Sequence, residues 1–250
     1  MKCVVIIPAR YESSRFPGKP LAKIGGEEMI VRVCKQVAKA GVDAAVATDD
    51  QRIFDCVEKA GFKAVMTSAN HRSGTERVEE AYRLLNTDAN VVINVQGDEP
   101  FIKPEQIRKV VEIFENNPDA QLATLCKRFD PQQGFDALFD PNLVKVVFSD
   151  KMKALYFSRS IIPYVRKIDW KNWLKEAEFH THIGIYGYKA EVLSQIVRLP
   201  ESSLENAESL EQLRWLQNGY EINVGLTEFS TIGIDTEADL RMAEEMLASE

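Results

Sequence analysis

A chain of 250 residues, 45% apolar and 28% charged, is long enough to bury a sizeable core as one large α/β domain with an insertion, and excludes wholesale disorder. A net charge of −7 excludes the broad basic surface needed for non-specific nucleic-acid binding, so any anion must be held by a local cluster of cations. No uninterrupted apolar stretch is long enough to span a bilayer, and the amino terminus runs straight into a strand without a basic, apolar leader, which predicts a cytoplasmic protein with no membrane insertion.

The first predicted element is a buried strand, Cys3-Val4-Val5-Ile6-Ile7, emptying into a loop from Pro8 to Pro20. Arg10, Arg15 and Lys19 stand in that loop with Glu12 as the acid among them. Arginine forks and a lysine point charge at the mouth of an α/β sheet suit a polyanion such as a triphosphate, although the loop taken alone also reads as a solvated basic surface. Glu28 to Lys39 has helical apolar spacing closed by Gly41, and Ala44 to Thr48 is a short strand. Asp49 and Asp50 can cap the next helix, which carries Ile53, Phe54, Val57 and Ala60 and stops at Gly61, and Lys63 to Thr67 is a third strand. This β-α-β-α-β alternation predicts a mostly parallel sheet with helices on both faces.

A polar turn from Ser68 to Arg77 precedes a helix with Val78, Ala81, Tyr82 and Leu85 on one face. Ser73 and Glu76 have capping-box spacing, and capping accounts for them, though not for Arg72, Arg77 or Gly74. A helix start at the sheet's carboxyl edge offers free N–H groups to an anion or a base. Asn90 to Val95 is the expected central strand and ends in Gln96-Gly97-Asp98-Glu99-Pro100. Asp98 lies too far from the next helix, Pro104 to Asn116, to cap it; it reads equally as a Mg²⁺ ligand in the crevice or as an Asp turning on its own backbone.

Leu122 to Phe129 is a strand of a partly covered sheet. Two Asp-Pro pairs and the strand-like runs Leu143 to Phe148 and Ala154 to Phe157 predict an inserted β-rich lobe over residues 130–190 of a single domain spanning 1–250. Tyr164 to Phe179, with Trp170 and Trp173 among charges, reads as a mobile or interface segment whose exposed tryptophans suit a dimer contact. Thr181 to Tyr188 alternates as a strand with His182, Gly184, Tyr186 and Tyr188 on one face; His182 reads either as a sugar contact or as an ordinary hydrogen-bonded strand histidine. Leu204 to Gln217 predicts one helix stopped by Gly219, and Ile222 to Leu226 a strand. Thr231 to Ile234 leads to Asp235, which Thr236 and Asp239, themselves at capping-box spacing, leave free at a strand end as Asp98 is.

Cys3, Cys34, Cys56 and Cys126 are scattered and read as reduced, mostly buried thiols. A zinc site from His71, His180 and His182 is only weakly signalled. No GxGxxG, Walker A or Gly-x-Ser-x-Gly string is present, which counts against a dinucleotide dehydrogenase, a P-loop NTPase and an α/β-hydrolase. What remains is a basic loop, a capped helix behind a polar turn, and two isolated aspartates, the parts needed to hold a nucleoside triphosphate with Mg²⁺.

The strings IIPARYESSRFPGKPL, HRSGTER, NVQGDEP, ALYFSR, HIGIYGY, LEQLR and IDTEADL, in order from residue 4 to about residue 240, resemble the 3-deoxy-manno-octulosonate (Kdo) cytidylyltransferases. The first string alone resembles sugar nucleotidyltransferases in general. The resemblance implies a Rossmann-like nucleotidyltransferase fold, a mostly parallel mixed sheet flanked by helices with a smaller β-rich lobe for dimerisation and sugar binding, and a homodimer. It implies transfer of CMP from CTP to the anomeric hydroxyl of Kdo for lipopolysaccharide synthesis. By that resemblance the CTP phosphates meet Arg10, Arg15 and Lys19, the nucleoside lies near Ala9, Ser73, Gly74, Thr75 and Arg77, and Asp98 and Asp235 hold Mg²⁺. The sugar acid would meet Gln96, Arg159, His182, Tyr186, Glu211 and Gln212, its carboxylate needing a fork such as Arg159 or the metal itself. The competing readings are a cytidylyltransferase for an amino-modified Kdo or another sugar acid, a module that binds CTP without turnover, and, more distantly, a Rossmann oxidoreductase.

Overall fold

The computed structural model describes residues 1–12 and 15–248; Ser13 and Ser14 of the first loop lie outside the described residues. Strand β1 (Cys3–Ala9) has Val5, Ile6 and Ile7 wholly buried, as befits a strand covered on both faces. It runs through Pro8 and Ala9, so the expected loop starts only at Arg10. A 3-10 turn (Lys19–Leu21) and a small hairpin of β2 (Lys23–Ile24) and β3 (Glu27–Glu28) lead into α1 (Met29–Ala38). Strand β4 (Asp43–Thr48), α2 (Gln51–Lys59), β5 (Ala64–Met66), α3 (Gly74–Leu85), β6 (Val91–Asn94) and α4 (Pro104–Asn116) continue the alternation. Then come β7 (Leu122–Arg128), α5 (Gly134–Phe139), β8 (Lys145–Phe148), β9 (Ala154–Ser158), α6 (Trp173–Glu176) and β10 (His180–Lys189). The chain finishes with α7 (Ala190–Ile196), α8 (Ser203–Glu208), α9 (Gln212–Gln217), β11 (Ile222–Leu226) and α10 (Glu237–Ala248).

The main sheet has the order β11-β7-β10-β6-β1-β4-β5, with β8 pairing β10 and β9. β1 is parallel to β4 and β6, β5 to β4, and β11 to β7, whereas β10 is antiparallel to both its neighbours. From β1 the chain steps outward to β4 and β5, then crosses back to β6 on the other side of β1. That reversal opens a crevice beyond the carboxyl ends of β1 and β6, the place where open α/β sheets bind ligands.

Two apolar layers enclose the sheet. Ile30, Val33 and Val37 of α1, Ile53 and Val57 of α2, and Ile107, Val110 and Phe114 of α4 pack with Val5, Ile7 and Ile93. On the other side Val78 and Ala81 of α3, Val192, Leu193 and Ile196 of α7, and Trp215 of α9 pack with Val4, Ile6 and Val92. Each such aliphatic side chain contributes about 1.5–3 kcal/mol by leaving water. Residues 130–179 wrap a small core of Phe129, Leu138, Trp173 and Phe179, and the hairpin β8–β9 joins the sheet at Thr181 opposite Lys145.

Three expectations are corrected. The helix expected over 204–217 is two short helices, because Ser209 takes a left-handed φ of 51° and the Arg159 guanidinium caps the end of α8 by donating to the carbonyls of Glu208 and Ser209. Trp173 is buried rather than exposed: its indole N–H donates to Ile168 O at 3.1 Å and its ring meets Phe135 and Tyr164 edge-on. Thr231 to Ile234 forms no strand; the segment is tied instead by Ile234 N donating to Asp98 O at 2.9 Å.

Candidate active site

The crevice at the reversal holds a cavity of about 320 Å³ lined by residues from five places in the chain. Pro8, Ala9 and Arg10 come from the end of β1, Lys19 from the 3-10 turn, and Gln96, Gly97 and Asp98 from the exit of β6. Ser73, Gly74 and Arg77 come from the start of α3, and Asp235 from the segment before α10; Arg15 also lines it. Gly97 permits the closest approach: a Cβ there would stand 2.8 Å from Pro8 O, so the exit of β6 can lie against β1 only without a side chain.

At one wall the Lys19 ammonium lies 2.7 Å from Asp98 Oδ2 and 3.0 Å from Asp235 Oδ1, and Arg15 Nη2 lies 3.1 Å from Asp235 Oδ2. Asp235 is brought there by two anchors. Ile234, fully buried with Ile24, Met29 and Ala243, is tied to Asp98 O, and the Asp239 carboxylate accepts from the N–H groups of Asp235 and Thr236 at 3.0 and 2.8 Å. Two carboxylate oxygens that converge on one atom form a hard-donor set suited to a Mg²⁺ ion that takes its remaining ligands from substrate and water. The three histidines gather no metal cluster among the described residues.

The opposite wall is the first turn of α3. Ser73 caps it, its Oγ accepting from Glu76 N at 3.2 Å, while the Glu76 carboxylate accepts from Arg72 N instead of completing the reciprocal box. Arg77 is buried and committed, donating to Asp49 Oδ2 at 2.8 Å and Thr67 Oγ1 at 2.7 Å. Behind this turn Glu211 accepts from Thr75 Oγ1 at 2.7 Å, Ser73 Oγ at 3.2 Å and Arg214 Nη2 at 2.7 Å. Burial pushes the Glu211 carboxyl above its ordinary range, and the Thr75 hydroxyl and the Arg214 charge counter part of that rise.

Of the candidate residues, Arg10, Arg15, Lys19, Ala9, Ser73, Gly74, Arg77, Gln96, Asp98 and Asp235 meet at this cavity. Thr75 and Glu211 stand directly behind it, and Gln212 is buried in α9. Arg159 lies elsewhere, with Nε on Glu208 O at 2.6 Å, Nη1 on Pro141 O at 2.9 Å and Nη2 on Ser209 O at 3.3 Å. His71 and Arg72 also line the cavity. Their signal lay in the polar turn before the Ser73 cap, where capping left Arg72 unexplained; it pairs with Glu76, and His71 Nε2 with Glu80.

His182 and Tyr186 share a face of β10, with ring centroids 5.3 Å apart. Between them β10 advances from Ile183 to Tyr186 while β7 steps only from Leu125 to Thr124, and a surplus of two residues preserves the alternation. Thr124 Oγ1 lies 2.9 Å from His182 Nε2 and within hydrogen-bond distance of the carbonyls of Ile183 and Ile185, at 3.2 and 2.8 Å. Burial pushes the imidazole down to about 3. Below pH 6.5 the unfolded chain therefore binds a proton that the folded one refuses, and stability falls as pH drops from 6.5 toward 3. Thermal melts at pH 7.5 and 5.5 are expected to show a smaller acid-induced loss for His182→Gln than for the parent; equal losses would remove His182 as a source of the slope.

Fold and cavity together define a Rossmann-like nucleotide-binding protein whose crevice presents cations to an anion beside two converging carboxylates. Residues 4–222 match the family described as cytidylyltransferase. Proteins from Phocaeicola vulgatus and Porphyromonas gingivalis, both described as 3-deoxy-manno-octulosonate cytidylyltransferase, are 54% and 47% identical over 247 residues, covering 99% of this chain and 98% and 97% of theirs. A solved structure described as CMP:2-keto-3-deoxy-manno-octonic acid synthetase complexed with CTP superposes with a TM-score of 0.90 at 40% identity, covering 100% of this chain and 99% of that one. The chain belongs to the 3-deoxy-manno-octulosonate cytidylyltransferase family.

Proposed function

We propose that the chain transfers CMP from CTP to the anomeric hydroxyl of Kdo, giving CMP-Kdo and pyrophosphate. The observation that carries the reading is the convergence of Lys19, Asp98 and Asp235 at the crevice between β1 and β6; the sugar acid comes from the name of the relatives. The hydroxyl oxygen attacks the α-phosphorus, the α–β phosphoanhydride bond breaks, and the hydroxyl proton leaves to solvent. Charge builds on the equatorial and leaving oxygens, so positioned cations supply most of the acceleration.

Arg10, Arg15 and Lys19 hold the β- and γ-phosphates that depart as pyrophosphate. Ala9, Ser73, Gly74, Thr75 and Arg77 seat the nucleoside against the start of α3, with Glu211 fixing Ser73 and Thr75 from behind. Gln96 and the His182–Tyr186 face of β10, with Glu211 and Gln212, orient the sugar acid; Arg159, whose guanidinium is spent on the carbonyls of Glu208, Pro141 and Ser209, is left out of that set. His182 acts there as a neutral hydrogen-bonding group. Asp98 and Asp235 would hold Mg²⁺, which when bound neutralises phosphate charge and lowers the pKa of the attacking hydroxyl.

We place the enzyme in the cytoplasm, supplying lipopolysaccharide synthesis, and as a homodimer. Phe139, Tyr164 and Trp170, exposed by 68, 75 and 49%, line an apolar groove suited to a second copy, and sedimentation equilibrium giving a monomer at micromolar concentration would refute the dimer. The function is tested by pyrophosphate release with CTP and Mg²⁺, comparing Kdo, 8-amino-Kdo and a sialic acid. Release with Kdo is expected; no release with any of the three would refute the assignment.

A further inference from the structure

The loop after β1 must hold Arg10 and Lys19 at fixed points of the cavity, and its described residues form no regular element before the turn at Lys19. Gly18 N donates to Tyr11 O at 2.8 Å and closes the loop at its neck. Gly18 has a left-handed φ of 72°, and a Cβ there would lie 3.0 Å from Tyr11 Cζ and Oη, so the phenol ring lies against the neck. The Arg52 guanidinium carbon stands 3.4 Å from the centroid of the same ring. Arg52 is itself fixed: Nε and Nη2 donate to Asp50 Oδ1 and Oδ2 at 3.0 and 2.6 Å, and Asp50 caps α2 by accepting from Arg52 N at 2.9 Å. One aromatic ring thus joins the neck of the phosphate loop to the first turn of α2. Tyr11 is covalently next to Arg10, and Gly18 next to Lys19.

We propose that Asp50, Arg52 and Tyr11 form a clamp that preorganises Arg10 and Lys19 for the nucleotide's phosphates, which makes Arg52 and Tyr11 positioning residues. The inference rests on CTP being the anion in this cavity. A guanidinium over a tyrosine face is attracted by the ring quadrupole, and its second attachment to a helix cap stops it from moving away. Without the clamp Arg10 and Lys19 sample other arrangements, and only the competent fraction binds phosphate with full strength. Once CTP is bound its phosphates hold Arg10 and Lys19 in place themselves. The loss therefore falls on CTP affinity and spares both the sugar acid and the chemical step.

The test compares the parent with Arg52→Ala, Tyr11→Leu, Tyr11→Phe and the Arg52→Ala/Tyr11→Leu pair, by pyrophosphate release and by calorimetric titration with CTP. The Arg52 side chain is 59% exposed, so its removal leaves the core intact, and a thermal melt confirms it. Arg52→Ala is expected to raise KM and Kd for CTP about fivefold or more, with kcat and KM for Kdo held within about twofold. Tyr11→Leu should do the same and Tyr11→Phe, which keeps the ring under the Arg52 guanidinium, should do so less. The double variant should be no worse than the more damaged single variant. A KM for CTP within about twofold of the parent in Arg52→Ala, equal rises for CTP and Kdo, or fully additive single effects would each overturn the clamp. A parent without CTP binding or turnover would overturn the cytidylyltransferase reading itself.

Discussion

Replacing Asp98 with Asn is expected to lower turnover by well over tenfold, on the order of a hundredfold, with the fold intact. The substitution keeps the shape of the side chain and removes one of the two negative charges that converge on Lys19. Asp98 is about a third exposed and anchors no core contact through its carboxylate; its backbone carbonyl, which holds Ile234, is unchanged. A melting temperature close to the parent's should therefore accompany the loss. Pyrophosphate release under saturating CTP and Kdo checks the first statement and a thermal melt the second. Near-normal turnover would remove Asp98 from the proposed metal site.

Lys19→Met should produce a second large loss with a different signature. The ammonium is 12% exposed and sits between two carboxylates, where it would compete with a cation brought to them and, in the proposed function, would meet the phosphates. Its removal is expected to reduce kcat/KM for CTP by roughly a hundredfold, the scale seen when a positioned group that stabilises developing charge is deleted. In the absence of nucleotide the same variant should bind Mg²⁺ more tightly than the parent, because Asp98 and Asp235 lose their competing cation. A magnesium titration followed by calorimetry reads this opposite sign, and weaker Mg²⁺ binding in Lys19→Met would refute the arrangement. Little stability should be lost, since Asp98 and Asp235 are 32 and 47% exposed and remain solvated.

Much of the frame follows from local chemistry. The expected bounds Pro104 to Asn116 and Ile222 to Leu226 are those of α4 and β11, because a first-turn proline and the alternate β-branched residues Ile222 and Val224 act through their own backbones. Asp50 and Ser73 cap the helices they precede. Elsewhere the local signal was overridden. A periodic run over 204–217 breaks at Ser209 because Arg159, some fifty residues earlier in the chain, binds the carbonyls at the break. Residues Thr231 to Ile234 look like a strand because of Ile232 and Ile234, yet the backbone partner that Ile234 takes is the carbonyl of Asp98 and not a strand of the sheet.

The same division runs through the candidate site. Residue types and short spacings determined by themselves that a strand would deliver Arg10, Arg15 and Lys19 to the end of a mostly parallel sheet, that Ser73 would start a helix there, and that Asp98 and Asp235 had no capping duty. Only the tertiary structure decided that Lys19 stands between those two aspartates, which are 79 and 216 residues away along the chain. It also decided that Glu211 braces Ser73 and Thr75, and that Arg52 reaches Tyr11. Capping and periodicity are set by neighbours within a turn or two of backbone. Contacts among distant charged groups depend on strand order, on the reversal beside β1 and on where a helix breaks, and burial across the whole sheet selects those.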